Sequence, residues 1–486
     1  MGWLHVVDWA LNSLGWFFIS YSVLINTSFL VLTVLAGADF WAYLRRVDFA
    51  AYDETFAAPL TPGISVLVPA YNESAGIVES VQAMTALRYP DFEVVVIDDG
   101  STDDTTARLV DAFDMVEVPL VVPATIPTHG PVEATYLSRR GSGNVVLVRK
   151  GNGGKADALN TGINAARKAL VCMVDADSLL DPDALLHVSR PFADDPDRVM
   201  ASGGVVRVAN GSRISSGRVT RVRMPSRWLP RIQVVEYLRA FLIGRTGWSR
   251  LGGLLIISGA FGLFRRDVLR ELGGLDTECI GEDAELVVRL HRWLGDQDVD
   301  GRVVFVAEPV AWTEAPEDRS VLRKQRRRWH RGLTEILVKH RGMLFRPRYG
   351  VVGMVSMPWF VAFELLAPFV EVFGVVFLAI ALVLMACDAL GLTHLQLVNT
   401  DVVWVLLATS LLYAVVMTLA ALVIEELSFR RYRGLRDILL AIWSAVEENF
   451  GYRQLNAWWR MGGSVEAWRR TRRDWGDMKR RGLGKT

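Results

Sequence analysis

The first pattern along the chain is an apolar run, residues 14–37, LGWFFISYSVLINTSFLVLTVLAG, almost without charge. A helix needs about 20 such residues to cross a bilayer, so the run predicts a membrane helix. A signal peptide is the rival reading, because Ala36-Gly37-Ala38 looks like a cleavage site. No Lys or Arg precedes the run, however, and it is longer than an h-region of about 15 residues. Arg45 and Arg46 follow it, which predicts a cytoplasmic C-terminal side and an N-terminus outside. From about Thr61 the pattern changes. ISVLVPA (64–70), FEVVVIDD (92–99), VVLVRK (145–150) and LVCMVD (170–175) are short β-branched runs ending in polar turns. Residues 73–88 between the first two have helical spacing. Alternation of strand and helix predicts a parallel α/β sheet with ligands at the carboxyl ends of its strands.

Residues 121–144, with Pro123, Pro127 and Pro131, read as a surface excursion. The arginine-rich stretch 207–231 reads as a basic face or, more simply, a solvated loop. Residues 320–342, SVLRKQRRRWHRGLTEILVKHRG, place Leu322, Trp329, Leu333, Ile336 and Leu337 at helical spacing among basic residues. That predicts an amphipathic helix on the cytoplasmic membrane surface. The apolar region after it is interrupted by Pro358, Glu364, Pro368 and Glu371. The tail contains FRRYRGLR and RRTRRDWGDMKRR, which predicts a cytoplasmic side, and so an even number of spans between it and the α/β region. The resulting organisation is a membrane helix and linker at 1–60, an α/β domain at 61–319, an interface helix at 320–350, a membrane region at 351–426 and a basic tail at 427–486. Within the membrane region, about 351–366 is interfacial, and spans follow at about 368–388 and 402–424.

Composition supports a membrane protein with an α/β domain. The chain is 51% hydrophobic with 16 tryptophans. Its net charge of +1 predicts no nucleic-acid partner. Cys172, Cys279 and Cys387 are far apart, with neither metal spacing nor a disulfide framework, which fits a reducing compartment.

Chemistry concentrates in NGGKADALNTGINAARKALVCMVDAD (152–177). It is a Gly pair and Lys155, a helix, a strand, and then Asp175 and Asp177 one residue apart. Two carboxylates at that spacing can share one hard divalent cation, Mg2+ or Mn2+, with a substrate diphosphate. Lys155 is a candidate donor contact or a surface lysine. In PAYNES (69–74), after Pro69, Tyr71 can stack on a base and Glu73 can accept hydrogen bonds or favour a helix start. In IDDGSTDDT (97–105), Asp98 or Asp99 can accept from a uracil imide or ribose hydroxyl, or simply form a strand–turn–helix junction. Glu282 and Asp283 open a helix, where a carboxylate complements the dipole or acts as a general base. Gln325, Arg328 and Trp329 put a planar cation beside an indole, suited to a diphosphate and a sugar or base.

In this order, and ahead of membrane spans, the motifs VPAYNE, VIDDGSTD, NGGKADALN, VDADS, SGAFGLFRR (258–266), GED and QRRRW resemble the membrane-embedded family 2 glycosyltransferases. Cellulose, hyaluronan, nodulation chitooligosaccharide and poly-N-acetylglucosamine synthases are among them. The resemblance covers roughly 61–339 and implies a GT-A fold. It implies that Asp98 or Asp99 contacts uridine and that Asp175 and Asp177 handle the nucleotide sugar and metal, with Asp177 the ligand. It implies that Asp283 is the base, and that Gln325, Arg328 and Trp329 bind the diphosphate and line the acceptor end. Ser258 and Gly259 would lie near the acceptor sugar. The family's T-E-D triplet is Gly281-Glu282-Asp283 here, so a hydroxyl contact is lost and the carboxylates are kept.

The implied partners are a UDP-sugar, a glycan acceptor, the bilayer of the cell membrane and a small accessory membrane subunit, with the catalytic domain cytoplasmic. The implied activity is inverting, processive elongation of a β-glycan coupled to its passage across the membrane. EYLRAFLIGR (236–245) and SGAFGLFRR favour N-acetylglucosamine. A non-processive transferase acting on a lipid, and an inactive receptor or scaffold, are the alternatives.

Overall fold

The structure is a computed structural model that describes residues 2–47, 61–139, 144–215, 217–392, 400–428 and 434–469. The expected linker at 48–60, the basic 429–433 and the basic end 470–486 lie outside the described residues. The strands are β1 (Ile64–Ala70), β2 (Phe92–Asp99), β3 (Met115–Glu117), β4 (Val132–Ser138), β5 (Val145–Lys150), β6 (Leu170–Val174), β7 (Leu179–Leu180), β8 (Val199–Val208), β9 (Arg213–Ser215), β10 (Arg218–Arg221), β11 (Phe261–Arg265) and β12 (Arg302–Thr313). Ten of them form one sheet, in the order β3-β4-β5-β2-β1-β6-β11-β8-β12-β7. Its centre, β5-β2-β1-β6, is parallel, and antiparallel pairings flank it on both sides.

The apolar runs become central strands because both faces of the sheet are covered. Val94, Val95, Val96 and Ile97 of β2 are all buried, as are Val66, Leu67 and Val68 of β1. Each such side chain contributes about 1.5–3 kcal/mol relative to exposure. Every central strand runs the same way, so the polar ends of β1, β2 and β6 emerge on one edge. There they carry Tyr71, Asp98–Asp99 and Asp175–Asp177.

The helices used below are α1 (Gly2–Val47), α2 (Lys155–Ala165), α3 (Trp228–Leu238), α4 (Glu282–Gln297), α5 (Arg319–Lys339), α6 (Ala367–Ala389), α7 (Thr400–Ser428), α8 (Leu435–Glu447) and α9 (Arg453–Trp468). Among the described residues, three helical runs are long and apolar enough to cross a membrane: Val6–Trp41, Val352–Ala389 and Thr400–Glu426. The second contains two π-helical turns, Val352–Ser356 and Val361–Leu365, before α6. Widened turns of this kind let a helix absorb Pro358 without breaking.

Two stretches differ from their reading in the sequence. The excursion at 121–144 contains β4, paired antiparallel with β5. Prolines hid a strand that is mostly half-buried and lies on the sheet's flank. The stretch 207–231 is no solvated loop. It holds the end of β8, the β9–β10 hairpin and the start of α3. Arg207 is 2% exposed and pairs with Glu425 of α7 at 2.6 Å, with its guanidinium over the Trp312 ring at 5.5 Å. The sheet is therefore joined to the third apolar helix by a buried ion pair. The segment expected as a basic tail also folds back. Arg231 reaches Glu447 at 2.6 Å, and Arg239 grips Glu448 with two 2.6 Å bonds.

Breaking the Arg207–Glu425 pair from one side strands a buried charge, which costs about 3–5 kcal/mol. Arg207→Met alone should lower the thermal midpoint in detergent markedly, and adding Glu425→Leu should recover most of the loss. A single variant as stable as the parent would show that the pair does not join the two parts.

Candidate active site

The turn after β5 is fixed from beneath. Lys150, 0% exposed, places its ammonium 2.7 Å from Asp99 Oδ1 and 2.7 Å from Asp157 Oδ2. It also donates to the Gly151 carbonyl at 2.6 Å. Asp99 accepts from the backbone N–H groups of Gly153 and Gly154 at 3.0 and 2.7 Å, and its carbonyl accepts from Asn152 at 2.8 Å. Asp157 accepts from the His129 and Gly130 N–H groups at 2.7 and 3.3 Å. Burial alone would raise Asp157, but Lys150 and these donors outweigh it and hold its carboxyl below the usual range. The Gly-Gly turn thus rests on a buried carboxylate–ammonium–carboxylate triad. Gly154, at φ 89°, delivers the chain into α2.

The first residue of α2 is Lys155. Its ammonium lies 2.5 Å from Asp175 Oδ1 and 3.7 Å from Glu282 Oε1. Burial lowers its proton affinity, but Asp175 and Glu282 outweigh that and raise it, so it stays charged. Glu282 is raised to about 7, by burial first and then by Asp283 and Asp175, with Lys155 opposing. Asp283 accepts from the Gly259 N–H at 2.7 Å and from the Ala284 N–H at 2.8 Å. A pocket is lined by Lys155, Ser258, Gly259, Glu282 and Asp283 over an apolar floor that includes Leu159 and Met173.

The structure brings Lys155, Asp175, Ser258, Gly259, Glu282 and Asp283 together. Asp98 and Asp99 sit at the end of β2 and are engaged by the protein. Asp98 accepts from Ser101 N–H at 2.9 Å and contacts the Thr106 hydroxyl. Pro69 lies in β1 opposite Ile97. Tyr71 is 51% exposed at the rim, and the Glu73 N–H donates to the Thr105 hydroxyl at 3.0 Å. Asp177 follows β6 two residues after Asp175. Gln325, Arg328 and Trp329 share one face of α5, since residues three and four apart are neighbours on a helix. They are not among the cavity's lining residues. Trp329 is 44% exposed, with the Arg326 guanidinium 4.9 Å from its ring centre. That face meets the Gly281-Glu282-Asp283 turn at Gly332: a Cβ on Gly332 would lie 3.1 Å from the Gly281 nitrogen.

Among the described residues, no group of three or more His, Cys, Asp and Glu is arranged to hold an ion. Asp175 and Asp177 are a two-carboxylate oxygen set. That suits Mg2+ or Mn2+, which take one or two protein carboxylates and complete their shell with phosphate and water. Sequence reasoning missed Lys150 and Asp157. The signal was a lysine closing an apolar strand and an aspartate on the buried side of KADALN, both charges where apolar residues are the rule.

Two family models match the region that holds these residues. The model described as "Glycosyl transferase family 2" matches residues 65–122, and that described as "Glycosyltransferase like family 2" matches residues 134–332. The chain carries a family 2 glycosyltransferase domain. A poly-beta-1,6-N-acetyl-D-glucosamine synthase from Staphylococcus epidermidis is 30% identical over 279 residues, 57% of this chain and 56% of the relative. One from Staphylococcus aureus strain COL is 30% identical over 280 residues, with the same shares. The chain spans about half the length of the curated relatives it matches. A mannosyltransferase from Pyrobaculum calidifontis, solved with GDP-Man and Mn2+, is 18% identical and aligns over 93% of this chain and 99% of its own, with a TM-score of 0.49.

Glu282 binds its proton more tightly in the folded chain than in the unfolded one. Its contribution to folding is therefore full below about pH 4.5 and is lost as pH rises through about 7. In the donor-free protein, Glu282→Gln should gain thermal stability over the parent progressively between about pH 5 and pH 8. An offset that stays constant across that range would remove Glu282 as the source.

Proposed function

We propose that the protein is an inverting transferase of the cell membrane that moves N-acetylglucosamine from a UDP-sugar to the end of a growing β-linked glycan. In this reading it acts processively and passes the product through its own apolar helices. The observation that carries the reading is the cavity in which Asp283, Glu282 and Lys155 converge beside Asp175. The named poly-N-acetylglucosamine synthases support the choice of sugar. The functional divisions are those read from the sequence, with transfer assigned to 61–319 and the membrane region to 351–426. The return of α8 and α9 to the α/β domain, together with Arg45 and Arg46 after the apolar run, supports a cytoplasmic catalytic side, where UDP-sugars are made.

The chemistry follows from what the residues offer. An acceptor hydroxyl is a weak nucleophile, and Asp283, held by the Gly259 and Ala284 N–H groups, can take its proton as the new bond to the anomeric carbon forms. The bond from that carbon to the UDP oxygen breaks on the opposite face, so an α-linked donor gives a β-linkage. Arg328 offsets the charge that builds on the departing diphosphate. Asp177, with Asp175, would hold Mg2+ or Mn2+. Such an ion supplies Lewis-acid stabilisation of the same diphosphate. Lys155 offsets one of the negative charges of Asp175 and Glu282, which lessens the floor's repulsion of a dianionic donor.

Membranes containing the protein, supplied with UDP-[¹⁴C]GlcNAc and Mg2+ or Mn2+, should release UDP and build a long glycan, and chelation should stop both. A product of one sugar on a lipid would favour the non-processive transferase, and transfer from a different UDP-sugar would replace the donor. Asp283→Asn should abolish turnover by about 100-fold or more while leaving UDP binding in place. Unchanged turnover would refute Asp283 as the base.

A further inference from the structure

The helix that carries Q-x-x-R-W is held on two faces. Gln325, Arg328, Trp329 and Gly332 occupy one side of α5, and that side meets the Gly281-Glu282-Asp283 turn through the close approach of Gly332 to Gly281. At 100° per residue, Arg326, Arg327, His330 and Thr334 lie on the opposite side. That side is where α9 sits. Thr334 and Ser464 share a 3.1 Å hydroxyl contact, the Arg460 Nε lies 3.4 Å from His330 Nδ1, and Arg327 pairs with Glu466. Just ahead of α9, the Tyr452 hydroxyl donates at 2.7 Å to Glu236, the carboxylate that also pairs with Arg326 at 2.6 Å.

The closest approach is at Gly463. A Cβ there would fall onto the Arg327 carbonyl oxygen and lie 3.2 Å from its carbonyl carbon. The neighbouring Gly462 is different, because a Cβ on it would meet only the Arg327 guanidinium at 3.5 Å, an ordinary contact. The backbone of α9 therefore rests directly on the peptide that precedes Arg328. Arg460 also bonds Glu364 at 2.7 Å, which ties α9 to the apolar run leading into α6.

We propose that α9 is a backing clamp that fixes the spacing between the Q-x-x-R-W helix and Glu282-Asp283, with Gly463 as its positioning residue. This rests on the reading of Arg328 and Trp329 as the diphosphate and acceptor contacts. α9 touches neither donor nor acceptor in this assignment. It acts by pressing α5 toward Gly281, so that Arg328 stands where charge develops on the leaving group. Adding one methyl group at Gly463 pushes Arg327 and Arg328 out of register. Misplacement by about 1 Å can cost about 100-fold in rate.

The test uses the full chain in membranes and compares Gly463→Ala with Gly462→Ala. Gly463→Ala should lower kcat by about 10- to 100-fold, and Gly462→Ala should leave it within about twofold. Because Gly463 works through Arg328, combining Gly463→Ala with Arg328→Ala should cost little beyond Arg328→Ala alone. Should Gly463→Ala fail to fold, Glu466→Gln, which weakens the ion pair to Arg327, should lower kcat in the same non-additive way. Wild-type kcat in Gly463→Ala, equal losses at Gly462 and Gly463, or a loss that adds in full to Arg328→Ala would each overturn the clamp. Wild-type turnover in Arg328→Ala would instead sink the assignment of the Q-x-x-R-W motif.

Discussion

An ammonium group without solvent contact has to be matched by carboxylates, and Lys150 is matched by two. Asp99 comes from the end of β2, Lys150 from the end of β5 and Asp157 from the first turn of α2. The triad therefore joins two strand ends and a helix start at one point. The Gly-Gly turn has no side chains to define its shape, so its conformation is imposed through the N–H groups that Asp99 accepts. Lys155 follows that turn directly, and its reach to Asp175 and Glu282 depends on the turn being held. A buried pair adds little net stability compared with apolar packing, but it is unforgiving of altered geometry. That is a suitable foundation for a site whose contacts must be placed to a fraction of an ångström.

Much of this was legible in the sequence. The four central strands lie where the β-branched runs are, because each run is short, apolar and closed by a polar turn. The convergence of Lys155, Asp175, Glu282 and Asp283 was legible as a set of motifs, since chemistry of this kind leaves carboxylates and glycines in unlikely places. What the local pattern did not carry was partnership over distance. Asp99 read as a ligand contact or a junction residue, and nothing in IDDGSTDDT names Lys150 as its neighbour. Arg207 read as solvated because its partner Glu425 is more than two hundred residues away, inside an apolar run. β4 was hidden because a half-buried flank strand needs no apolar run.

The C-terminal helices illustrate the same limit. Their arginines suggested a basic extension, yet α8 and α9 use acidic and small residues to dock. Ser444, Glu447 and Glu448 meet Arg231 and Arg239, while Ser464 and Glu466 meet Thr334 and Arg327. The last described part of the chain is thereby folded against the middle of it. Each of these pairs joins residues far apart in sequence, so the segment's docking relies on partners in the α/β domain and on α5.

The Arg207–Glu425 pair also bears on how the protein meets its lipid. A helix usually accommodates a bilayer of the wrong thickness by tilting or sliding along its axis. α7 has one end pinned to β8, which shares the sheet with β11 and, through it, with β6. Sliding at that end is blocked, so mismatch has to be taken up at the far end of the helix or in the lipid itself. With α7 spanning the bilayer as proposed, hydrophobic thickness becomes a mechanical load on the same sheet that carries Asp175 and Asp177.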